Sequence, residues 1–287
     1  MTRHLLIAIA ALGALSCGRG DGSRGDDDAD GGGGDADSDG DADTDTDTDS
    51  DGCSEAAKKI YLVDSDQTLY KLDPPTKIFE KIGTITCGAS SPFSMAVTRD
   101  AVAYVLLSGG AIFEVSTSDA ACKATPYQSG QNGFSTFGMG YATDGPDVTT
   151  EKLYVANSSQ LAWLDPAWKI NVLGPIAGDP ELTGNGLGEL WGFFPTASQP
   201  HVSNIDKTSG GLIATYPLPA YITNSPSAWA FAYWGGAFYI FYESSSDTST
   251  QVYRVDAANG QTEVWMADTG KRIVGAGVST CAPTTVE

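Results

Sequence analysis

Residues that could act as bases or nucleophiles are scarce in this chain, which limits its chemistry. It contains two histidines, His4 and His201. A Ser-His-Asp arrangement would have to use His201, but no G-x-S-x-G nucleophile motif accompanies it. His201 lies between Pro200 and Val202 near a predicted turn, where we expect a surface side chain. Phosphate-binding, flavin and nicotinamide fingerprints are also missing, so the sequence predicts no catalytic residue, no metal site and no cofactor.

Carboxylates are the other candidates for acid–base chemistry. Glycoside hydrolysis needs two acids that face one bond. The strands predicted below to surround the centre of the fold carry Asp100, Asp144 and Glu181 only near their ends. This placement makes a hydrolase the less favoured alternative.

Tryptophans could provide a stacking surface for sugars. Such large side chains more often pack inside the fold, and we favour that interpretation for the six present: Trp163, Trp168, Trp191, Trp229, Trp234 and Trp265.

Acidic residues dominate the N-terminal part of the chain. The 287 residues have a formal charge of −20, and residues 1–52 contain fourteen Asp against three Arg. This balance excludes a nucleic-acid partner, because phosphate binding needs a basic face. Asp35-x-Asp37-x-Asp39-Gly40 resembles the start of an EF-hand loop, but Thr46 stands where the bidentate Glu belongs. Since residues 18–52 also lack large apolar side chains, we expect a disordered, solvated tether without a specific calcium site.

The first seventeen residues have the features of an export signal. Arg3 precedes an uncharged apolar run from Leu5 to Leu15, which is too short to span a bilayer. The run ends in Ala14-Leu15-Ser16-Cys17, which resembles the lipobox of bacterial lipoproteins, although that family usually has Leu where Ala14 stands. The alternative is an ordinary secretory signal cut near Ser16. We favour a signal peptide over 1–16 and lipidation of Cys17, with Gly18 indicating the outer membrane.

The remainder of the chain repeats one pattern five times. An apolar, aromatic-rich strand, a turn and a second strand recur with a period of about 40–50 residues. The last apolar residues of the copies are Leu72, Val115, Leu164, Ile205 and Val255. An Asp follows most of them and opens a turn that Lys or Gly closes, at Asp73–Lys77, Asp165–Lys169, Asp206–Gly210 and Asp256–Gly260. Recurrence in turns indicates that these aspartates are structural.

A further strand precedes each copy, which predicts four strands per repeat. These inner strands cover 93–98, 137–142, 180–185 and 228–233, and the first copy lacks one. The C-terminal strand 272–280 has no partner of its own, so pairing it with the first copy would close a ring. The fold predicted for 53–287 is therefore an all-β, five-bladed β-propeller. Small residues such as Gly138, Gly140 and Gly275 suit close packing at its axis.

Four cysteines fall within this predicted domain, at spacings that match no zinc site. In an exported protein they are expected to form disulfides, and three connectivities are possible. Ring closure brings Cys53, just before the first strand, next to Cys281, just after the last one. The predicted pairs are Cys53–Cys281 and, by elimination, Cys87–Cys122.

Several segments carry a family resemblance. PFSMAV, FGMGYATDG, WAFAYWGGAFYIFYE and VGAGVSTCAP resemble uncharacterised bacterial envelope lipoproteins that have Asp/Thr-rich tethers. The resemblance extends over 17–287 and implies the architecture, but no activity.

These observations favour one function over another. We expect a lipid-anchored envelope protein, periplasmic or surface-exposed, whose propeller is a non-catalytic binding or scaffold module for a protein or glycan. The alternative is a carboxylate-dependent glycoside hydrolase. The longer polar connections 127–136, 218–227 and 243–251 are the expected contact surface.

Overall fold

A computed structural model describes residues 52–286. The predicted signal peptide, the lipidation site Cys17 and almost all of the predicted tether lie outside these residues. A short 3-10 helix, Glu55–Lys58, opens the described chain, and twenty strands follow. No helix in this part of the protein has the length and apolar composition needed to cross a bilayer.

The strands form five four-stranded antiparallel sheets, which we number as blades along the chain. From the innermost to the outermost strand, blade 1 contains β20 (Ile273–Val278), β1 (Ile60–Asp64), β2 (Thr68–Asp73) and β3 (Ile78–Thr84). Blade 2 contains β4 (Pro92–Val97), β5 (Val102–Leu107), β6 (Ile112–Ser116) and β7 (Cys122–Ala124). Blade 3 contains β8 (Gly138–Thr143), β9 (Glu151–Ala156), β10 (Gln160–Leu164) and β11 (Ile170–Pro175).

The last two blades have the same order. Blade 4 contains β12 (Glu181–Gly184), β13 (Leu190–Phe194), β14 (His201–Ile205) and β15 (Leu212–Pro217). Blade 5 contains β16 (Pro226–Trp234), β17 (Ala237–Ser244), β18 (Gln251–Asp256) and β19 (Thr262–Met266). The five-bladed propeller predicted from the repeat is confirmed.

Blade 1 closes the ring as the sequence predicts. β20 pairs with β1, with Ile60 opposite Val278 and Leu62 opposite Ala276. The disulfide Cys53–Cys281 lies just beyond this pair of strands, and Cys87–Cys122 links blades 1 and 2. These are the two pairs expected from the sequence.

The hydrophobic core lies between neighbouring blades. The last apolar residues of the five copies are all at most 5% exposed: Leu72, Val115, Leu164, Ile205 and Val255. Alternation along each strand directs side chains to the two adjacent blades in turn. In blade 5, Ala230 and Phe241 pack toward blade 1, whereas Phe231 and Ile240 pack toward blade 4.

The ring has two faces, which we define by the inner strands. At the upper face the inner strands β4, β8, β12, β16 and β20 begin, and at the lower face they end. Because the sheets are antiparallel, the connections between blades and the hairpins between the second and third strands lie on the upper face. The chain enters at Cys53 and leaves at Cys281 on the lower face.

Candidate functional site

A small cavity opens at the upper face, around the starts of four inner strands. We call it the axial cavity; its volume is about 120 Å³. Phe93 and Trp229 supply half-buried aromatic walls, and Glu181 supplies a carboxyl group. The other lining residues are Pro92, Ser227, Ala228 and Val274. An apolar wall with one or two polar groups is typical of ligand sites, but these usually measure about 300–1,000 Å³, so the axial cavity holds only a small group of a larger ligand.

Glu181 is the first residue of β12 and is only 2% exposed. The Ser94 hydroxyl of β4 donates to its carboxylate, and the Met139 N–H of β8 donates to the Ser94 oxygen over 3.1 Å. This network joins three inner strands. Burial raises the pKa of Glu181 well above its usual value, and the hydrogen bonds from Ser94 and the Met139 N–H oppose that shift.

An ion pair between the exposed Arg272 side chain and the buried Glu243 carboxylate lies beside the cavity. Arg272 contacts the Glu243 carboxylate, and the Ser227 hydroxyl donates to the same oxygen over 3.2 Å. The Glu243 side chain is 6% exposed, and its second oxygen has no hydrogen-bond partner within the described chain. Sequence reasoning missed this pair because Glu243 was assigned to a loop. The available signal was an acid directly following the apolar run Ala237–Tyr242.

The inner strands pack backbone against backbone around the axis. A Cβ added to Gly138 would lie 2.1 Å from the Pro180 carbonyl oxygen, and one added to Gly140 would lie 2.9 Å from the backbone of Leu182. A Cβ added to Gly277 would lie 3.1 Å from the backbone of Ala96 on β4. The close packing expected from the small residues is therefore confirmed.

The other acids considered for catalysis lie at the lower face. Asp100 follows β4, and Asp144 follows β8 and pairs with Lys152. Glu151, at the start of β9, accepts a hydrogen bond from the Arg99 N–H over 2.8 Å and another from the Thr280 hydroxyl over 2.7 Å. Among the residues lining the axial cavity, Glu181 is the one carboxylic acid, and the Glu243 carboxylate contacts that lining only through Ser227. Residues 52–286 also contain no cluster of three His, Cys, Asp or Glu that could hold a metal ion.

His201 differs from its predicted surface position. It begins β14 and is half-buried, with its ring stacked on Phe194 at 4.7 Å. Nδ1 contacts the Gln199 carbonyl, while Nε2 is buried without a hydrogen-bond partner among residues 52–286. His201 therefore lies next to a turn, as expected, but its ring is half-buried because it stacks on Phe194.

The tryptophans divide into two groups. Trp191 and Trp234 are at most 7% exposed and belong to the core, as expected. Trp163, Trp168, Trp229 and Trp265 are only half-buried. These four still pack against the core between blades, as expected, while Trp229 also lines the axial cavity and Trp168 a groove at the lower face.

The repeated aspartates serve the turns, as predicted. Asp206 accepts hydrogen bonds from the N–H groups of Thr208 and Ser209, and Asp256 does the same for Ala258 and Asn259. Blade 3 departs from the expected spacing. Its left-handed residue is Trp168, with φ 62°, rather than Lys169.

All three longer connections lie on the upper face. Segments 127–136 and 218–227 join an outer strand to the next inner strand, and 243–251 joins β17 to β18. Tyr221 in the second segment is 52% exposed. The axial cavity and these connections therefore share the face opposite Cys53.

Comparisons with known proteins find solved structures that are similar at low identity. No protein-family model matches the chain, and the curated proteins contain no match. A chain of a nidogen/laminin complex is 12% identical over 76% of this chain and 97% of its own length, with a TM-score of 0.49. TolB from Acinetobacter baumannii is 14% identical over 73% of this chain and 52% of its own length, with a TM-score of 0.44.

Proposed function

We propose that this protein is a lipid-anchored binding module of the bacterial envelope that presents the upper face of its propeller to a partner. The observation that carries the proposal is the position of the axial cavity and the three longer connections on one face. The chain enters the propeller at the opposite face, at Cys53. An anchor N-terminal to Cys53 would therefore hold the domain from the face that lacks these features.

The geometry of the cavity supports binding rather than hydrolysis. A glycoside hydrolase needs two carboxyl groups roughly 5–10 Å apart around one bond. The axial cavity has one, and the Ser94 hydroxyl already occupies it. Phe93 and Trp229 add apolar surface, which suits recognition.

The N-terminal segments complete the proposal. Cys17 would carry the lipid, and more than one acyl chain gives stable attachment. Residues 17–52 would then act as the spacer, with a contour length on the order of 120 Å at about 3.4 Å per residue. The location we propose is the outer membrane, with the domain periplasmic or surface-exposed, and the partner a protein or a glycan.

The test is an affinity capture with the full-length protein purified in detergent. Immobilised wild type is exposed to solubilised envelope proteins and to a glycan extract. Trp229→Ala and Tyr221→Ala, both on the upper face, are expected to reduce recovery of the captured partner at least fivefold. Trp265→Ala on the outer strand β19 is the matched control and should leave recovery unchanged.

Two results would contradict the proposal. Equal recovery by all three variants would show that the upper face does not bind. Turnover of a captured glycan that Glu181→Gln abolishes would show an enzyme and favour the hydrolase alternative.

A further inference from the structure

A groove of about 580 Å³ lies between blades 2 and 3 at the lower face, on the opposite side of the ring from the axial cavity. It contains the ends of inner strands β4 and β8 and the turn that follows β10. The residues that line it include Tyr104, Tyr141, Glu151, Asp165 and Trp168. We call it the inter-blade groove. None of the upper-face features contributes to it.

Three aromatic rings form one wall of the groove. Trp168 meets Tyr104 edge-on, with ring centroids 5.3 Å apart, and Tyr104 lies 6.4 Å from Tyr141. All three rings are half-buried and pack on the core between blades 2 and 3. Their positions are therefore set by the fold, while part of each ring stays accessible. Such rings offer flat apolar surface to the C–H faces of a ligand.

The tyrosine hydroxyls of this wall are unpaired. Neither Tyr104 nor Tyr141 forms a hydrogen bond through its hydroxyl to any residue in 52–286, although burial raises the pKa of both. Tyr61 and Tyr127, by contrast, use their hydroxyls inside the fold: each donates to a backbone carbonyl over 2.8 Å. The hydroxyl oxygens of Tyr104 and Tyr141 are not among the buried atoms that lack a partner in residues 52–286, so they are accessible from the groove. Both hydroxyls are therefore available to a ligand that has hydroxyl groups of its own.

The turn that carries Trp168 also departs from its counterparts. The left-handed position of this turn holds Lys77, Ala120, Gly210 and Gly260 in the other blades, and Trp168 in blade 3. A bulky side chain is disfavoured at positive φ, at a cost on the order of 1 kcal/mol. The blade 3 turn is also one residue shorter, since the Trp168 N–H donates to the Asp165 carbonyl. This combination places the indole against Tyr104, where it extends the aromatic wall.

Charge narrows the class of ligand. Asp100, Asp144, Glu151 and Asp165 line the groove together with one cation, Lys152. The excess of acids repels anionic ligands. We infer that the inter-blade groove binds a saccharide that is neutral or carries an amine, stacked on Trp168 and hydrogen-bonded to Tyr104 and Tyr141.

A glycan array tests this inference with the full-length protein in detergent. The array displays neutral, amine-bearing and anionic oligosaccharides, and calorimetry measures the affinity of each bound compound. Binding is expected for neutral or amine-bearing members and not for anionic ones. Trp168→Ala should weaken binding about tenfold, which corresponds to about 1.4 kcal/mol. Tyr141→Phe, which keeps the ring and removes the hydroxyl, should weaken it about threefold.

A tryptophan outside both sites is the control. Trp265 lies on β19, is half-buried and has the Lys77 ammonium 4.8 Å from its ring. Trp265→Ala should bind the saccharide like wild type. Absence of any glycan binding, preference for anionic members, or an equal loss in Trp265→Ala would overturn the inference. If circular dichroism shows that Trp168→Ala does not fold, the affinity of Tyr141→Phe for the saccharide tests the inference instead.

Discussion

Glu181 shows how one buried acid makes the stability of the ring depend on pH. Its carboxyl group joins β12 to β4 through Ser94 and is removed from solvent, so its pKa in the folded state exceeds the usual 4.5. Between those two pKa values the folded state binds more protons than the unfolded chain. The free energy of unfolding therefore falls as pH rises through that interval. Each pKa unit between the folded and the unfolded value of Glu181 corresponds to about 1.4 kcal/mol in the free energy of unfolding.

We predict that Glu181→Gln removes this pH dependence, because an amide of similar shape does not ionise. Urea unfolding at pH 5 and pH 8 is the measurement, and the variant should gain stability relative to wild type at the higher pH. Glu80→Gln is the control: that acid is 63% exposed and pairs with Lys71 at the surface. If wild type and Glu181→Gln lose the same stability between the two pH values, Glu181 is ionised throughout and its burial is compensated.

At the scale of elements, the glycines of the inner strands set how closely the blades can approach. Gly138 on β8 touches the backbone of Pro180 and Glu181, which cannot move aside without shifting β12. We predict that Gly138→Ala lowers the free energy of unfolding by about 2–3 kcal/mol, as overpacking of a rigid core does. Gly145→Ala is the matched control, because nothing lies within 4 Å of its added Cβ. Chemical denaturation compares them, and equal stability of the two variants would contradict direct backbone packing at the axis.

Strands and turns differ in how far the sequence predicts them. The strands are predictable because each alternates and ends in a buried apolar residue, such as Leu72 or Val255. The turns are less predictable. The turn of blade 3 is one residue shorter than its counterparts, so the residue with positive φ is Trp168 and not Lys169. The hydrogen bond from the Trp168 N–H to the Asp165 carbonyl, and not the type of residue, sets that position.

The candidate sites were harder to predict than the elements. Glu181 meets Ser94, 87 positions earlier, only because ring closure brings the starts of β4 and β12 together. The wall formed by Tyr104 and Trp168 likewise needs two blades. A repeat in one sequence gives the number of blades. It does not give the side-chain orientations at their junctions, which depend on the pairing register.

For the whole molecule, closure depends on both a strand and a disulfide. We predict that deleting residues 272–287 abolishes folding, because β1 then has an unpaired edge and Cys53 loses Cys281. The control variant Cys53→Ser/Cys281→Ser keeps β20 and should fold, with a free energy of unfolding lower by about 5 kcal/mol in the chain-entropy model. Near-UV circular dichroism and protease resistance distinguish the two. A truncated protein that keeps both properties would refute closure through β20.

The predicted lipid anchor depends on a single residue, Cys17. Cys17 follows Ser16 at the end of the apolar run from Leu5 to Leu15, which is too short to span a bilayer. Acylation at Cys17 would therefore attach the protein to a membrane. We predict that wild type incorporates an alkyne-labelled fatty acid and sediments with membranes. Cys17→Ala should incorporate no label. It should either move to the soluble fraction or keep its leader uncleaved, and mass spectrometry of the N-terminal peptide tells these two outcomes apart.

The control variant Cys87→Ser/Cys122→Ser removes two other cysteines and should still be labelled. Labelling that persists in Cys17→Ala, or a wild-type protein without lipid, would show that the leader is an ordinary secretory signal.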